Sequence, residues 1–444
     1  MPGPGLYRHF SWEHSYFSGK TRAYLRYKER NGGLGPGFED ILATRDLIEG
    51  LLQPRSGTGA VPQLQAPDGK WLQDSAEIID FCEAAHSEPP VIPGPERPRQ
   101  RMVSYLLELL ADEWMLVHGF WERWHFSLDG DWPNHLHYNE QQWGSVIDCD
   151  ANGPGRRVAA ETFFELAFGI SEARTRPRGV YAGLVHLGVD ESTEAAWEAS
   201  ALRILSLLEE HFSRHDFTLG GQPALGDFGF MAPLYAHLLR DPVPGAALRI
   251  HFPLVADWVE RSNGLCALNA RTYDQRLYSL NDAGELVGRP ATSDDGAWLP
   301  DDRVPESLLS VLGVFFEEMW PCLENSLAAL RDFIAGDMHT PGDELPAKSF
   351  GAAPGFEHLQ TGEGPLTHEF KIGGIPGRRM VTAHHAWRLA RISEALSECT
   401  SEGKTAVAKM LARFPGAETL LALDERLEGC RVRKQGGRLF SVPS

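Results

Sequence analysis

"GAVPQLQAPDGKWLQDSAEIIDFCEAAH", residues 59–86, decides how the chain is read. Two short strand-like runs flank Pro-Asp-Gly, a turn-forming trio, so the first half reads as a β-hairpin. The second run leads straight into a helix with Asp74 or Ser75 as its N-cap. Upstream, "LYRHF" at residues 6–10 is short, aromatic and strand-like. From about Ser15, "SYFSGKTRAYLRYKE" reads as a helix that "NGGLGPG" breaks. "FEDILAT" is a second strand and "RDLIEGLLQ" a short helix. The expected order over residues 1–86 is therefore β-α-β-α-β-β-α.

Downstream, "SEPPVIPGPERPRQ" places five prolines in residues 87–100, which no helix can run through, so it reads as a linker. Residues 101–265 then turn helical. "RMVSYLLELLADEWMLVHGFWERWHF" reads as one long helix, with further helices at 156–174, 192–212, 225–239 and 252–262. The polar stretch 127–155 reads as a loop or insertion. Residues 266–444 change character. A loop-rich segment precedes a strong apolar helix over 306–335, expected to break or kink at Pro321. "HEFKIGGIPGRRMVT" and "CRVRKQGGRLFSV" each set a Gly-rich turn between alternating runs and read as hairpins, and "HHAWRLARISEAL" as a helix.

The 444 residues carry a formal net charge of −19 and are 42% hydrophobic. That argues against nucleic acid or an anionic membrane as the main partner and for a soluble protein with a sizeable core. No apolar run is long enough to span a bilayer. "MPGPGLYRHF" lacks the basic-then-apolar order of a secretory signal, so a cytoplasmic location is expected. The six cysteines are scattered, without metal-like spacing, and free thiols are expected.

Three local signatures in the first 86 residues resemble the cytosolic glutathione S-transferase family, serine type, in a bacterial long form with a C-terminal extension. Ser15 falls where the serine-type classes carry their catalytic Ser, at the start of the first helix. "VPQL" matches the segment whose cis proline opens the third strand. "DSAEIIDF" matches an acidic residue followed by Ser at the next helix start. The resemblance implies an α+β protein: a thioredoxin-like glutathione-binding domain, an all-α glutathione-transferase C-terminal domain and an extra mixed extension of unknown role. It implies that Ser15 steadies the glutathione thiolate for attack on a small hydrophobic electrophile. Val61 and Pro62 would meet the peptide backbone, and Asp74 and Ser75 the γ-glutamyl amine and carboxylate. It also implies a homodimer.

The physics of the opening stretch agrees with that role: exposed N–H groups and the helix dipole favour an anion beside a Ser hydroxyl. A plain helix cap is the competing reading of Ser15, and Ser11, Ser18 and Tyr7 are alternative donors. "LGDFGFMAPL" resembles the segment entering the buried helix of the second domain, but Ala224 stands where a capping Ser or Thr is usual, so that helix start must be satisfied otherwise. Phe17 stands where isomerase-type members carry Cys, which counts against that chemistry.

Trp114, His118, Trp121 and His125 share one helical face and form a candidate aromatic wall for the electrophile, against ordinary core packing as the alternative. His135 and His137, placed on a loop or strand, and the pair His384 and His385 are weaker candidates, and no metal site is expected. A non-catalytic binding or scaffold protein on the same fold is the alternative function.

Overall fold

Strand β1 (Tyr7–Ser11) organises the N-terminal part of the computed structural model, which describes residues 5–168, 184, 186–265, 276–289, 296–337, 339–345 and 366–443. Helix α1 (Tyr16–Arg30) follows, then β2 (Phe38–Leu42), which pairs parallel to β1. Two short helices, α2 (Arg45–Leu47) and α3 (Gln53–Ser56), are joined by a π turn. Strands β3 (Gln63–Gln65) and β4 (Trp71–Gln73) complete a sheet of order β2-β1-β3-β4, and α4 (Ser75–Ala85) closes the unit. The β-α-β-α-β-β-α order read from the sequence is the observed one. Basic residues in the last turn of α1, Lys28 and Arg30, complement its dipole before Gly32 and Gly33 end it. Lys28 also donates to the carbonyls of His86 and Pro89, which ties the proline-rich segment back to α1.

The helical part begins at Pro98, where a residue without an N–H suits a first turn. Helices α5 (Pro98–Leu109) and α6 (Met115–Leu128) are one rod carrying a π turn at Leu110–Trp114. The polar stretch expected as a loop contains α7 (Pro133–Ile147) instead. His135 and His137 therefore sit on a helix. His135 is buried against the Arg123 carbonyl at 3.0 Å, a core histidine. Helix α8 (Gly153–Phe168) covers the described part of the helix expected at 156–174, the rest of which lies outside the described residues. Helices α9 (Glu194–Phe212), α10 (Leu225–Pro233), α11 (Pro242–His251) and α12 (Pro253–Glu260) complete the layer.

Central α10 packs on both α1 and α5. A Cβ on Gly229 would lie 2.8 Å from the Glu108 Cα, so only glycine allows that approach. Its start lacks a capping hydroxyl at Ala224, as the sequence shows. The Asp227 carboxylate does the work, accepting from the Ala224 N–H at 2.8 Å and from the Thr218 N–H at 2.9 Å. Burial lifts the Asp227 carboxyl to about 6.

Beyond residue 265, β5 (Leu277–Leu280) and β6 (Leu286–Arg289) form a small hairpin within the stretch expected as loops. Helices α13 (Glu306–Val314) and α14 (Trp320–Ala335) continue one another through a π turn at Phe315–Met319, which ends two residues before Pro321. The expected break is thus absorbed by a widened turn. A proline there has no N–H to contribute, and the wider turn makes room for its ring. Both expected late hairpins form: β7 (Thr367–Ile372) with β8 (Ile375–Met380), and β9 (Val432–Gln435) with β10 (Arg438–Ser441). Between them run α15 (Ala383–Ser397) and α16 (Ser401–Leu411). The five described cysteines are free thiols, and Cys266 lies outside the described residues. Among the described residues, no helix is long and apolar enough to cross a membrane.

Candidate functional site

One row of the sheet builds the site. Phe10 pairs with Gln63, and Gln63 with Gln73. Strand β1 runs into this row, β3 runs out of it antiparallel, and β4 runs back to it. Three connections therefore leave the sheet at the same end: the loop to Ser15, the Val61–Pro62 pair, and the Asp74–Ser75 pair. Residues separated by about sixty positions meet because of register.

At the first connection, Ser15 is the N-cap of α1, with extended backbone (φ −81°, ψ 132°) and no side-chain cap bond. The first turn of α1 holds no acidic residue, so its N–H groups and dipole remain available to an anion. At the second, the Val61–Pro62 peptide is cis, and the Val61 N–H and C=O have no hydrogen-bond partner among the described residues. At the third, Asp74 takes a positive φ of 113°. Few non-glycine residues do so; Asp tolerates it better than most because its short side chain can bond locally. Here Asp74 Oδ1 accepts from the Ala76 N–H at 2.9 Å, capping α4. The Ser75 hydroxyl makes no hydrogen bond among the described residues, although the residue is largely buried.

The alternative donors are placed elsewhere or committed. Tyr7 begins β1, about 13 Å from its far end at about 3.3 Å per residue, and its hydroxyl bonds His86 Nε2 at 2.9 Å. Burial raises the Tyr7 phenol to about 12. Ser11 donates to Asp40 at 2.6 Å and accepts from Arg22 at 2.6 Å. Ser18 accepts from the Trp12 N–H within the loop.

The aromatic face is built, and it is packed. Trp114 lies 4.5 Å from Trp197 of α9 between ring centroids and donates towards Ser200 and Glu318. His118 stacks on Trp121 and pairs with Glu122 at 3.2 Å. Trp121 stacks on His125 at 4.7 Å and donates to Glu194 at 2.6 Å. All of Trp114, His118 and Trp121 are buried against the protein itself.

Of the groups that the C-terminal segment brings to the site, sequence reasoning named His384 and His385 only as weaker candidates and missed Lys434, Arg388 and Arg391. His384 Nε2 lies 3.2 Å from Asp74 Oδ2, and its Nδ1 lies 3.0 Å from Glu113. His385 meets the same Glu113 at 3.3 Å. The Lys434 ammonium donates to the Gln73 carbonyl and pairs with Glu77. One and two turns along α15, Arg388 pairs with Asp112 at 2.7 Å and Glu108 at 3.0 Å, and Arg391 with Glu108 at 2.9 Å and Asp80 at 2.7 Å. Lys20 of α1 reaches Glu108 at 2.7 Å and Asp112 at 2.5 Å. Burial opposes ionisation of Glu113, but the two imidazoles outweigh it and hold the carboxyl well below its usual range. The same burial opposes charge on His384, and Glu113 and Asp74 together raise it nonetheless. A signal existed in the sequence: His384, Arg388 and Arg391 stand at i, i+4 and i+7, a basic stripe on one helical face.

No family model matches the sequence and no curated protein matches it. Among solved structures, the chain is similar to a glutathione S-transferase of Rhodospirillum rubrum, with 16% identity over 57% of this chain and 86% of that one, TM-score 0.33. It is similar to a beta-etherase of Sphingobium, with 17% identity over 58% and 95%, TM-score 0.35. A glutathione transferase of Phanerochaete chrysosporium gives 12% identity over 59% and 97%, TM-score 0.37. Likeness at this level carries no function across. The architecture itself is α+β: a thioredoxin-like unit, then a helical layer, then a mixed C-terminal extension.

Proposed function

We propose that the chain is a glutathione-dependent enzyme of the serine type. The observation that carries this reading is the sheet row Phe10–Gln63–Gln73, which gathers Ser15, Val61–Pro62 and Asp74–Ser75 at one end of the sheet. The groups there fit a peptide thiol: two uncommitted hydroxyls, one uncommitted backbone N–H and C=O, the open N-terminus of α1 and the Asp74-capped start of α4. In this reading, Val61 holds the peptide backbone and Pro62 fixes its direction. Ser75 and the start of α4 hold the γ-glutamyl carboxylate, and Asp74 faces the ammonium. Bound glutathione supplies a thiol that adds to, or displaces a group from, a hydrophobic electrophile. Ser15 donates its hydroxyl to the sulfur and, with the α1 N-terminus, stabilises the thiolate. Trp114, His118 and Trp121 serve as the electrophile's wall only if α9 or the β7–β8 hairpin draws back from them. A cytoplasmic homodimer belongs to the same reading, and sedimentation of the full chain tests it.

Ultraviolet difference spectra of glutathione bound to wild type and to Ser15→Ala, taken across pH, test the assignment. We expect a thiolate band with a pKa below that of a free thiol, about 8.5, rising by about one unit in the variant. An unchanged pKa would remove Ser15 from the chemistry. One observation favours a second reading, a non-catalytic scaffold on this fold: Asp74 and the Gln73 carbonyl already have partners from the C-terminal segment. Turnover by the wild type of any aryl halide or epoxide with glutathione would argue against it.

A further inference from the structure

We propose that the C-terminal segment carries a built-in competitor for the site, in which His384 occupies the Asp74 carboxylate that a γ-glutamyl ammonium would take, and Lys434 closes the strand end beside it. The proposal rests on the glutathione reading above and explains a contrast within it. Ser15, Val61 and Ser75 are uncommitted. Asp74 alone has both carboxylate oxygens engaged, Oδ1 by its own helix and Oδ2 by His384.

The chemistry of the substitute follows from its surroundings. Each His384 nitrogen faces a carboxylate oxygen, Asp74 on one side and Glu113 on the other. A neutral imidazole offers one donor, and two carboxylates ask for two, so the ring sits there as an imidazolium. A cationic N–H donor on Asp74 is the same kind of group as the ligand's ammonium. The raised affinity of His384 for its proton agrees with this.

The competitor is held in place rather than free to drift. Arg388 and Arg391 anchor α15 to α4, α5 and the π turn after it through Asp80, Glu108 and Asp112. Trp387 bridges the two competing cations, its ring 5.3 Å from His384 and 5.5 Å from the Lys434 ammonium. The β9–β10 turn is pinned at the Ser56 carbonyl by the Gly437 N–H at 2.6 Å, and a Cβ on Gly436 would approach that carbonyl to 2.9 Å. A ligand with an ammonium must therefore displace His384 by a side-chain movement while its helix stays docked. A thiol tripeptide lacking the ammonium escapes that competition.

Calorimetric titration of the full-length protein with glutathione and with glutaryl-cysteinyl-glycine, the same tripeptide without its amine, tests this. In wild type we expect glutathione to bind no better than the amine-free analogue. In His384→Gln we expect glutathione to tighten about tenfold, or about 1.4 kcal/mol, while the analogue changes little. Lys434→Met, which leaves the buried imidazolium untouched, gives a smaller tightening and serves if His384→Gln does not fold. Wild type preferring glutathione over the analogue by the same factor as both variants would overturn the proposal and leave the glutathione reading standing. No binding of either thiol by any folded form would overturn the glutathione reading and the proposal with it.

Discussion

Replacing Arg388 by Met tests whether the extension is an integral part of the fold. Lys20, Arg388 and Arg391 face Asp80, Glu108 and Asp112, three cations against three carboxylates. Lys20, Glu108 and Asp112 are fully buried, and Arg388 is 2% exposed. Without Arg388 the cluster carries one excess negative charge. Glu108 keeps Lys20 and Arg391, but Asp112 keeps only Lys20. Breaking a buried ion pair by removing one partner costs about 3–5 kcal/mol, because the other charge stays desolvated. Methionine keeps most of the stem's packing, so the loss is chiefly electrostatic. Burial already raises Asp112 above the usual carboxylate range, and protonation is its escape, so the penalty shrinks as pH falls. Urea titrations followed by tryptophan fluorescence should show the full loss at neutral pH and a smaller one near pH 5, about one unit above an unperturbed carboxylate. Adding Asp112→Asn to the variant should recover part of it, a coupling of about 0.5–3 kcal/mol. A loss below about 1 kcal/mol at unchanged slope, the size of an exposed pair, would mean that α15 is not docked on this cluster.

Two further perturbations probe the frame around the site. His211 is held between Ser307 at 2.9 Å and the Phe217 carbonyl at 3.1 Å, and burial lowers it to about 3. Its folded value lies below the unfolded value of about 6.5, so its contribution is complete above that pH and is lost on acidification at about 1.4 kcal/mol per unit. His211→Gln should flatten the decline in stability from about pH 6.5 to 4 by that slope, and a parallel decline would show that His211 is solvated. Gly229→Val should lower the urea midpoint by about 1–3 kcal/mol equivalent, since the added carbons press on the Glu108 backbone at 2.8 Å. An unchanged midpoint would show that α5 and α10 are less closely packed. The Ser15→Ala spectra and the His384→Gln titrations described above complete the set.

Features set by nearby residues were legible in the sequence. The hairpin around Pro-Asp-Gly, the cap of α4, expected at Asp74 or Ser75 and found at Asp74, and the start of α1 at Ser15 each depend on a few neighbours. Helix α7 was not legible, because "PNHLHYNEQQWGSV" offers few apolar residues to show a period. It buries His135 and Asn139 instead, polar groups whose partners Arg123 and Ser127 lie twelve residues away. The turn at Pro321 shows a related limit: the residue announces a disturbance, but whether the helix breaks or widens depends on what packs around it.

The C-terminal cations mark the deeper limit. In a chain of net charge −19, the basic run around Lys434 gives little reason to expect an anionic partner. That inference treats charge as a property of the whole chain, whereas burial makes it a property of the partner. Asp74 and His384 are 310 positions apart, so no local pattern could pair them. The basic stripe on α15 could still have been used. Three cations on one face of a helix whose other positions are mostly apolar cannot all be solvated if that helix packs. Such a stripe asks for a matching set of carboxylates, and the buried Glu108, Asp112 and Glu113 on the rod of α5 and its π turn supply it. Read that way, the extension is bound to the very elements that frame the candidate site, and its side chains have to enter any account of what that site can hold.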